Sequence, residues 1–311
     1  MLNQKTKSKA FTIVELLTVI SVITLIIGLL VPALNKVNRI AKDMKQRAQF
    51  HSITTSLEMF KSENGEYPES KEGGSGTNII CGAQKLAEAL VGRDLQGFDP
   101  KSNTNDPEDG TLEAYGYSPS YVQADFENSL DRRKGPYLNT DNLPIFDIAQ
   151  IYSASAVAAG KVYPGKYDKF GGLTGANPAP VITDIYKAAT VTMPSGNKGG
   201  NAGTPILYYK ANVVNKFNDT TDIPNSVYDI YDNEEIIRLN AVKESTPPTP
   251  HKINASITAE LEYFYNEMIA NPSVPLTGTK TRPYRADSYI LISAGYDGIY
   301  GTNDDVTNYE D

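Results

Sequence analysis

The stretch FTIVELLTVISVITLIIGLLVPAL, residues 11–34, decides how this 311-residue chain is organised. It carries no charged side chain from Leu16 to Leu34, a run of 19 residues. A helix rises about 1.5 Å per residue, so this run is roughly 28 Å long, close to the thickness of a bilayer's hydrocarbon core. The stretch therefore predicts a helix that can cross a membrane.

One ionisable side chain, that of Glu15, lies just inside the apolar stretch. A carboxylate at this depth either reaches the headgroups or needs a partner. Charge does not decide the orientation of the helix, because basic residues flank the stretch on both sides. They are Lys5, Lys7 and Lys9 before it and Lys36, Arg39, Lys42, Lys45 and Arg47 after it.

Residues 9–15, Lys-Ala-Phe-Thr-Ile-Val-Glu, resemble the type III signal of type IV pilins and type II secretion pseudopilins. The resemblance implies that a prepilin peptidase removes the leader, residues 1–10, by cutting between Ala10 and Phe11, and that Phe11 is then N-methylated. Ala10 stands where the family usually carries glycine and is also small. After this cut Glu15 would be the fifth residue of the mature chain. The resemblance implies that this glutamate pairs with the N-terminal amine of a neighbouring subunit during assembly. In a low-dielectric slab the two charges attract strongly, and each relieves the desolvation of the other.

Two other interpretations of the apolar stretch stay open. An ordinary secretory signal needs a small-residue cleavage site, for which Val31-Pro32-Ala33 is a candidate. A plain membrane anchor would keep residues 1–10 and would not be cleaved.

The helical spacing of apolar residues continues well beyond the stretch. Gly65 is a natural C-terminal cap, and Pro68 prevents the helix from continuing. We therefore predict one helix over residues 11–62, followed by a head domain over residues 63–311. Residues 56–68 also resemble the pseudopilin segment in which the long helix ends and an aromatic–proline pair begins the head.

The predicted fold class is α+β, with the long helix packed on a small antiparallel sheet in a loop-rich, pilin-like head. The best strand candidates are residues 205–211 and 288–293, which are rich in β-branched and aromatic side chains. Apolar residues on one face predict helices over residues 77–90 and 256–270. Segments rich in Gly, Pro, Asp and Asn between residues 97 and 203 are expected to form loops and a surface insertion.

Charge and cysteine content exclude two features. The formal net charge is −8, although residues 35–61 hold six basic and two acidic residues. Residues 62–311 are therefore strongly acidic, which argues against a nucleic-acid surface, because such a surface needs a basic patch. Cys81 is the only cysteine, so no disulfide can form within the chain.

Residues 293–306, Ser-Ala-Gly-Tyr-Asp-Gly-Ile-Tyr-Gly-Thr-Asn-Asp-Asp-Val, form the second informative pattern. Calcium takes roughly six to eight oxygen ligands, and glycines let a short loop curl round the ion. An ordinary hairpin is the alternative, since Asp-Gly is a common turn pair. The segment also resembles the C-terminal calcium loop of major pseudopilins, which favours Ca²⁺ as a cofactor. The candidate ligands are Asp297, Asn303, Asp304 and Asp305, with Ser293 as a further candidate.

Residues suited to catalysis are sparse. The only histidines are His51 and His251, and Cys81 is far from both in the sequence. No Ser-His-Asp, Cys-His or zinc-binding spacing results from them. The pair Glu234-Glu235 is typical of a solvated helix face. We therefore predict that the chain is not an enzyme.

Together these patterns predict a structural subunit of a type II secretion pseudopilus or a type IV pilus-like filament. Before assembly, one N-terminal helix would hold the subunit in the inner membrane, with its head in the periplasm. The expected partners are identical or related pilin subunits, the prepilin peptidase, the inner-membrane assembly platform and membrane lipid, and no nucleic acid. The alternatives are a membrane-anchored exported calcium-binding protein or adhesin that does not polymerise, and an exported enzyme.

Overall fold

The structure, a computed structural model, describes residues 12–75, 78–102, 130–139, 143–152, 156, 161–163, 179–186, 189–192, 198–242, 249–274 and 278–309. The predicted leader and the cleavage site at Ala10 and Phe11 lie outside the described residues, as does most of the predicted loop after residue 97. The chain forms two compact units, Met1–Met44 and Lys45–Asp311.

Helix α1 covers Ile13–Asn64, 52 residues, which confirms the predicted long helix. Its backbone stays helical through Pro32. It ends where Gly65 adopts a φ of +91° and donates its N–H to the Lys61 carbonyl at 2.8 Å. This left-handed backbone favours glycine, so the predicted cap is confirmed.

A three-stranded antiparallel sheet lies at the centre of the second unit. Its strands, in their order across the sheet, are β11 (Val306–Thr307), β10 (Tyr289–Ser293) and β7 (Leu207–Lys210). Tyr209 lies opposite Ile290, and Thr307 lies opposite Ile292. Both strands predicted from β-branched and aromatic residues are thereby confirmed.

Both faces of this sheet are buried. Successive residues of a strand point to opposite faces, so Tyr208 and Leu291 pack in one hydrophobic cluster, while Tyr209 and Ile290 pack in another. The first cluster contains the α1 residues Phe50, Ile53, Leu57 and Phe60. The second contains Leu261, Phe264, Tyr265 and Met268. The sheet is therefore covered by α1 on one side and by a second helical segment on the other.

That second segment begins as α5 (Thr258–Tyr263) and continues as a π-helical turn over Phe264–Met268. The predicted helix over residues 256–270 is therefore present, but its winding changes at Phe264.

The other described elements are short helices and strands, and the strands form four separate two-stranded sheets. They are β1 (Gly73–Ser75), β2 (Asn78–Ile80), α2 (Gly82–Val91), β3 (Ile145–Asp147), α3 (Ile148–Ile151), β4 (Pro180–Ile182), β5 (Ala189–Thr192), β6 (Lys198–Ala202), β8 (Asn218–Asp219), α4 (Glu234–Ile237) and β9 (Lys280–Thr281), with 3-10 turns at Ile223–Asn225 and Ile230–Asn233. The strands pair antiparallel as β1 with β2, β3 with β4, β5 with β6 and β8 with β9.

The predicted helix over residues 77–90 is wrong at its start. Ile79 and Ile80 belong to strand β2, and the helix begins only at Gly82. Cys81 has an extended backbone, and its N–H donates to the side-chain carbonyl of Gln84 at 3.0 Å. This local cap fixes the start of α2 after the strand.

The predicted surface insertion is also wrong for the described residues between 179 and 202. Val181, Ile182, Val191 and Ala202 are at most 1% exposed, and they lie in strands β4, β5 and β6. Glycine and other small residues dilute the hydrophobic alternation here, so the period-2 pattern did not reveal these strands.

Candidate functional site

Thr12 and Glu15 form a capping box at the start of α1. The Thr12 N–H and hydroxyl both donate to Glu15 Oε2, at 2.9 and 2.8 Å, and the Glu15 N–H donates to the Thr12 hydroxyl oxygen at 3.3 Å. Sequence reasoning missed this role, although the Thr-x-x-Glu spacing is its signal. Among the described residues, none donates a hydrogen bond to Glu15 Oε1.

The first unit presents an apolar surface whose few hydroxyl groups are hydrogen-bonded within the helix. Every side chain from Thr12 to Ala41 is exposed. The hydroxyls of Thr18, Ser21 and Thr24 donate to backbone carbonyls of the preceding turn, at 2.8–3.0 Å. Polar side chains that are satisfied within their own helix are compatible with lipid. The helix is long and apolar enough to cross a membrane.

In the second unit, polar residues of α1 attach the helix to the head. The Gln49 side-chain amide donates to the Thr183 carbonyl at 2.9 Å, and the Ile185 N–H donates to the Gln46 side-chain carbonyl at 3.1 Å. Both glutamines are buried. They link α1 to the short segment that follows β4.

Three glycines shape the candidate calcium loop, residues 293–306. Gly295, Gly298 and Gly301 have φ angles of +64°, +73° and +87°, which confirms that glycines provide its curvature. A Cβ on Gly295 would lie 2.0 Å from the carbonyl oxygen of Asp304. The two ends of the loop therefore approach each other at a distance that only glycine permits.

The loop's carboxylates accept hydrogen bonds from its own backbone. Asp304 Oδ2 accepts from the N–H groups of Tyr296 and Asp297, at 2.8 and 3.0 Å. Asp297 Oδ1 accepts from the Ile299 N–H at 2.8 Å, and Asp305 Oδ2 accepts from the Gly301 N–H at 2.7 Å. Each of these three aspartates therefore holds part of the loop in place.

Thr302 lies between two of the predicted ligands. Its hydroxyl is 2.6 Å from Asp304 Oδ1 and 3.5 Å from Asp305 Oδ1. Asn303, the remaining predicted ligand, is exposed. Sequence reasoning missed the contacts of Thr302, because a threonine in a loop carries no pattern of its own.

The pKa values of the loop's carboxyl groups are shifted in different directions. Burial raises the pKa of Asp305 to about 8, and the charges of Asp304 and Asp297 add to the rise. Burial, together with the Asp304 charge, also raises the pKa of Asp297. Burial opposes ionisation of Asp304 as well, but hydrogen bonds from Thr302 and two backbone N–H groups hold its pKa below the usual value.

These residues supply hard oxygen donors of the kind that calcium prefers. Within the part of the chain that the structure describes, no three Asp, Glu, His or Cys side chains already converge on one point as metal ligands. A calcium ion would therefore need backbone carbonyls and the Asn303 amide in addition to the aspartates, as calcium loops commonly use.

The loop is anchored at its start by Asp184. The Ser293 hydroxyl donates to Asp184 Oδ2 at 3.1 Å, and the N–H groups of Tyr186 and Thr204 donate to Asp184 Oδ1. Burial raises the pKa of Asp184 to about 7. Because its hydroxyl serves this core contact, Ser293 acts in the structure as a support of the loop.

The middle of the loop is anchored by His251. The Tyr300 N–H donates to His251 Nδ1 at 3.1 Å, and the Tyr300 hydroxyl donates to the Pro205 carbonyl. Burial lowers the pKa of His251 to about 3, so the ring is neutral at physiological pH. His251 therefore has a structural contact beside the loop.

The other residues considered for chemistry lie apart. His51 is exposed on α1, and Cys81 is fully buried at the start of α2. Glu234 and Glu235 are 6% and 5% exposed, and both pair with Arg238, at 2.5 and 2.8 Å. The interpretation of this pair as a solvated helix face is therefore wrong, because both carboxylates are buried and share one arginine as their ion-pair partner.

No protein-family model matches this chain, and no curated protein or solved structure matches it. The geometry by itself establishes an α+β protein in which a long N-terminal apolar helix continues into a segment packed on a small antiparallel sheet.

Proposed function

We propose that this chain is a pilin-like subunit of a filament, either a type II secretion pseudopilus or a type IV pilus-like fibre. The observation that carries the proposal is the division of α1 into two parts: a first part, residues 16–34, whose side chains are exposed and uncharged, and a second part, residues 45–64, one face of which is buried. A long exposed apolar helix needs lipid or other apolar helices to cover it. A subunit that is first held in the inner membrane and later packs into a filament core would have this helix covered first by lipid and then by the helices of other subunits.

The residues around Ala10 and Phe11 support processing before assembly. In this proposal a prepilin peptidase cuts between them, the new N-terminus at Phe11 is methylated, and the head stays in the periplasm. The inner-membrane assembly platform then moves the subunit from lipid into contact with identical or related subunits. The role is mechanical, and the acidic head has no part in binding nucleic acid.

Glu15 has two compatible roles in this proposal. In the single subunit its Oε2 caps α1 through Thr12. Its Oε1 accepts no hydrogen bond from the described residues, so it can meet the N-terminal amine of a neighbouring subunit. Inside a helical bundle with low dielectric, such a pair is strongly attractive and fixes the stagger of the two helices.

We also propose that residues 293–306 bind Ca²⁺ through Asp297, Asn303, Asp304 and Asp305. The positive-φ glycines and the close approach of Gly295 to Asp304 support a loop that can curl round an ion. When bound, calcium would supply the positive charge that these carboxylates lack. The ionised aspartates would then hold the loop closed around the ion. This fastening would take the place of a disulfide, which a chain with one cysteine cannot form.

The test of the filament proposal is intact mass and N-terminal sequencing of the protein extracted from membranes of its native host. We expect a chain that begins at a methylated Phe11. A chain that begins at Met1 or Leu34 would contradict the proposal and leave an anchored or freely secreted protein. Electron microscopy of the overexpressed protein supplies the second readout, because filaments are expected only from the processed chain.

A further inference from the structure

The head contains a cavity of about 470 Å³ that the filament proposal does not use. Its lining comes from residues 61–71 at the end of α1, from residues 210–213 after β7, from residues 224–232 and from residues 287–288. All of these belong to the second unit, and none belongs to the candidate calcium loop. The cavity is therefore a separate feature of the head.

The lining combines an apolar wall with an excess of acid. Val213 and Pro224, both exposed, provide aliphatic surface. Five acidic side chains face three basic ones: Glu66, Glu69, Asp229, Asp232 and Asp287 against Lys61, Lys71 and Lys210. A cavity with apolar walls and a few convergent polar groups is the usual form of a ligand site, and this one is suited to a cation.

Two of the three lysines already have partners at the edge of the cavity. Lys210 Nζ lies 2.8 Å from Glu66 Oε2 and 2.5 Å from Glu69 Oε1. Lys61 Nζ lies 4.2 Å from the centre of the Tyr67 ring. Lys210 offsets only one of the two glutamate charges, so an acidic excess remains at the edge of the cavity in addition to the three aspartates.

The three aspartates stand at different depths. Asp232 is 5% exposed, and the Ser70 hydroxyl donates to its Oδ2, whereas no described residue donates to its Oδ1. Asp229 accepts from the Tyr231 N–H at 3.0 Å. Asp287 is exposed and makes no hydrogen bond or ion pair with the residues that the structure describes. A buried carboxylate, that of Asp232, and an exposed one, that of Asp287, thus line the same cavity.

The nearby cations compensate the deep aspartates only in part. Burial raises the pKa of Asp232 to about 7, although Lys85 acts in the opposite direction. Burial also raises the pKa of Asp229, although Lys71 opposes it. Another positive charge in the cavity would favour the ionised form of both groups.

We propose that this cavity binds a basic side chain presented by another polypeptide, with its aliphatic stem against Val213 and Pro224 and its charged end toward Asp229, Asp232 and Asp287. Long basic side chains commonly bury the stem along apolar surface while the charged head meets polar groups. The site does not depend on filament formation, so it stands or falls separately from the proposed function.

The test is calorimetric titration of the full chain in detergent with Nα-acetyl-lysine amide. Nα-acetyl-norleucine amide is the matched ligand, because it keeps the aliphatic stem and lacks the charge. We expect binding of the lysine compound and at least about tenfold weaker binding of the norleucine compound, since the acidic end of the cavity distinguishes them. Equal binding of the two compounds, or no binding of either, would overturn the proposal.

Two variants locate the site. Asp287→Lys reverses an exposed charge in the lining and should weaken binding about tenfold. Asp131→Lys makes the same change at an exposed residue outside the lining and should leave the affinity within about twofold. Near-ultraviolet circular dichroism of the buried tyrosines verifies that both variants are folded. An unchanged affinity in folded Asp287→Lys would overturn the assignment.

Discussion

The two parts of α1 share one continuous backbone but differ in what surrounds them. Leu25 in the first part is 66% exposed, whereas Leu57 in the second part is fully buried. Helices in water draw most of their stability from an apolar face packed against other elements, and only the second part has such a face within the chain. The first part is apolar on all sides, so its sequence suits burial in lipid or among the helices of other subunits.

The largest expected effect on stability comes from replacing a leucine in the second part of α1, with the same replacement in the first part as the control. Leu57→Ala removes a fully buried side chain beside the central sheet and should cost about 2–5 kcal/mol of the head's unfolding free energy. Leu25→Ala is the matched control and should change that free energy by less than about 0.5 kcal/mol. The measurement is denaturation followed by near-ultraviolet circular dichroism of tyrosine.

This signal reports the head alone, because the first tyrosine in the chain is Tyr67. Equal destabilisation by Leu57→Ala and Leu25→Ala would mean that both parts of α1 stabilise the head, which would contradict the difference in burial between them.

Calcium should affect the head and leave the first part of α1 unchanged. A site that binds only the folded state stabilises it by about 2.7 kcal/mol when free calcium is 100 times the dissociation constant. The head's melting temperature should therefore rise with added calcium and fall with chelator. Asp305→Asn should abolish the response, while Asp131→Asn should keep it. An unchanged melting curve in wild-type protein at low calcium would remove the calcium proposal.

The pH dependence of the metal-free head follows from its buried acids. Burial raises the pKa of Asp305 to about 8 in the folded state, against an ordinary value of about 3.9. The stability contributed by the protonated group is complete below about pH 4 and is lost as the pH rises through 8. Asp184 and Asp232, whose pKa values burial raises to about 7, act in the same direction.

The expected result is a falling melting temperature between pH 6.5 and pH 9 without calcium, which Asp305→Asn should reduce. Above about pH 6.5 the neutral His251 does not contribute to this slope, because burial lowers its pKa to about 3 from an ordinary value near 6.5. Added calcium should stabilise the head more at pH 8 than at pH 6, because it binds the ionised carboxylate. A melting temperature that does not fall over this range would contradict the assignment for Asp305.

Hydrogen bonds between α1 and the head should have a smaller effect. Gln49→Ala leaves the Thr183 carbonyl without its donor at a buried position and should cost about 1–3 kcal/mol. Lys45→Ala, at an exposed position of the same helix, is the control and should be nearly neutral. The same tyrosine signal measures both variants, and equal stability of the two would show that the Gln49 contact contributes nothing measurable.

The sequence predicted those features that depend on neighbouring residues. The long helix, its end at Gly65, the two principal strands and the glycine curvature of residues 293–306 are all local patterns, and the structure contains them. Contacts between distant residues were not predictable in this way. The Gln49 side chain meets a carbonyl 134 residues away, and the Ser256 hydroxyl donates to the buried Glu234 carboxylate from 22 residues away. The short strands β4 to β6 were missed because small residues obscure their alternation.

The smallest effect on stability is expected at the start of α1, where Thr12 and Glu15 cap the helix. Thr12→Ala removes the capping hydroxyl and should cost about 1 kcal/mol, confined to the first turns of the helix. Glu15→Gln retains a side chain that can complete the capping box but removes the charge. Neither variant should change the head's tyrosine signal, since both lie in the first unit.

The two variants separate the two roles of Glu15. If its charge pairs with the amine of a neighbouring subunit, Glu15→Gln should insert into the membrane normally and fail to form filaments, whereas Thr12→Ala should still assemble. If Glu15 serves only as a cap, Thr12→Ala should impair assembly at least as much as Glu15→Gln. Filament yield by electron microscopy, normalised to membrane-inserted protein, decides between them. Normal filaments from Glu15→Gln would leave capping as the residue's only role, because the charge would then be dispensable.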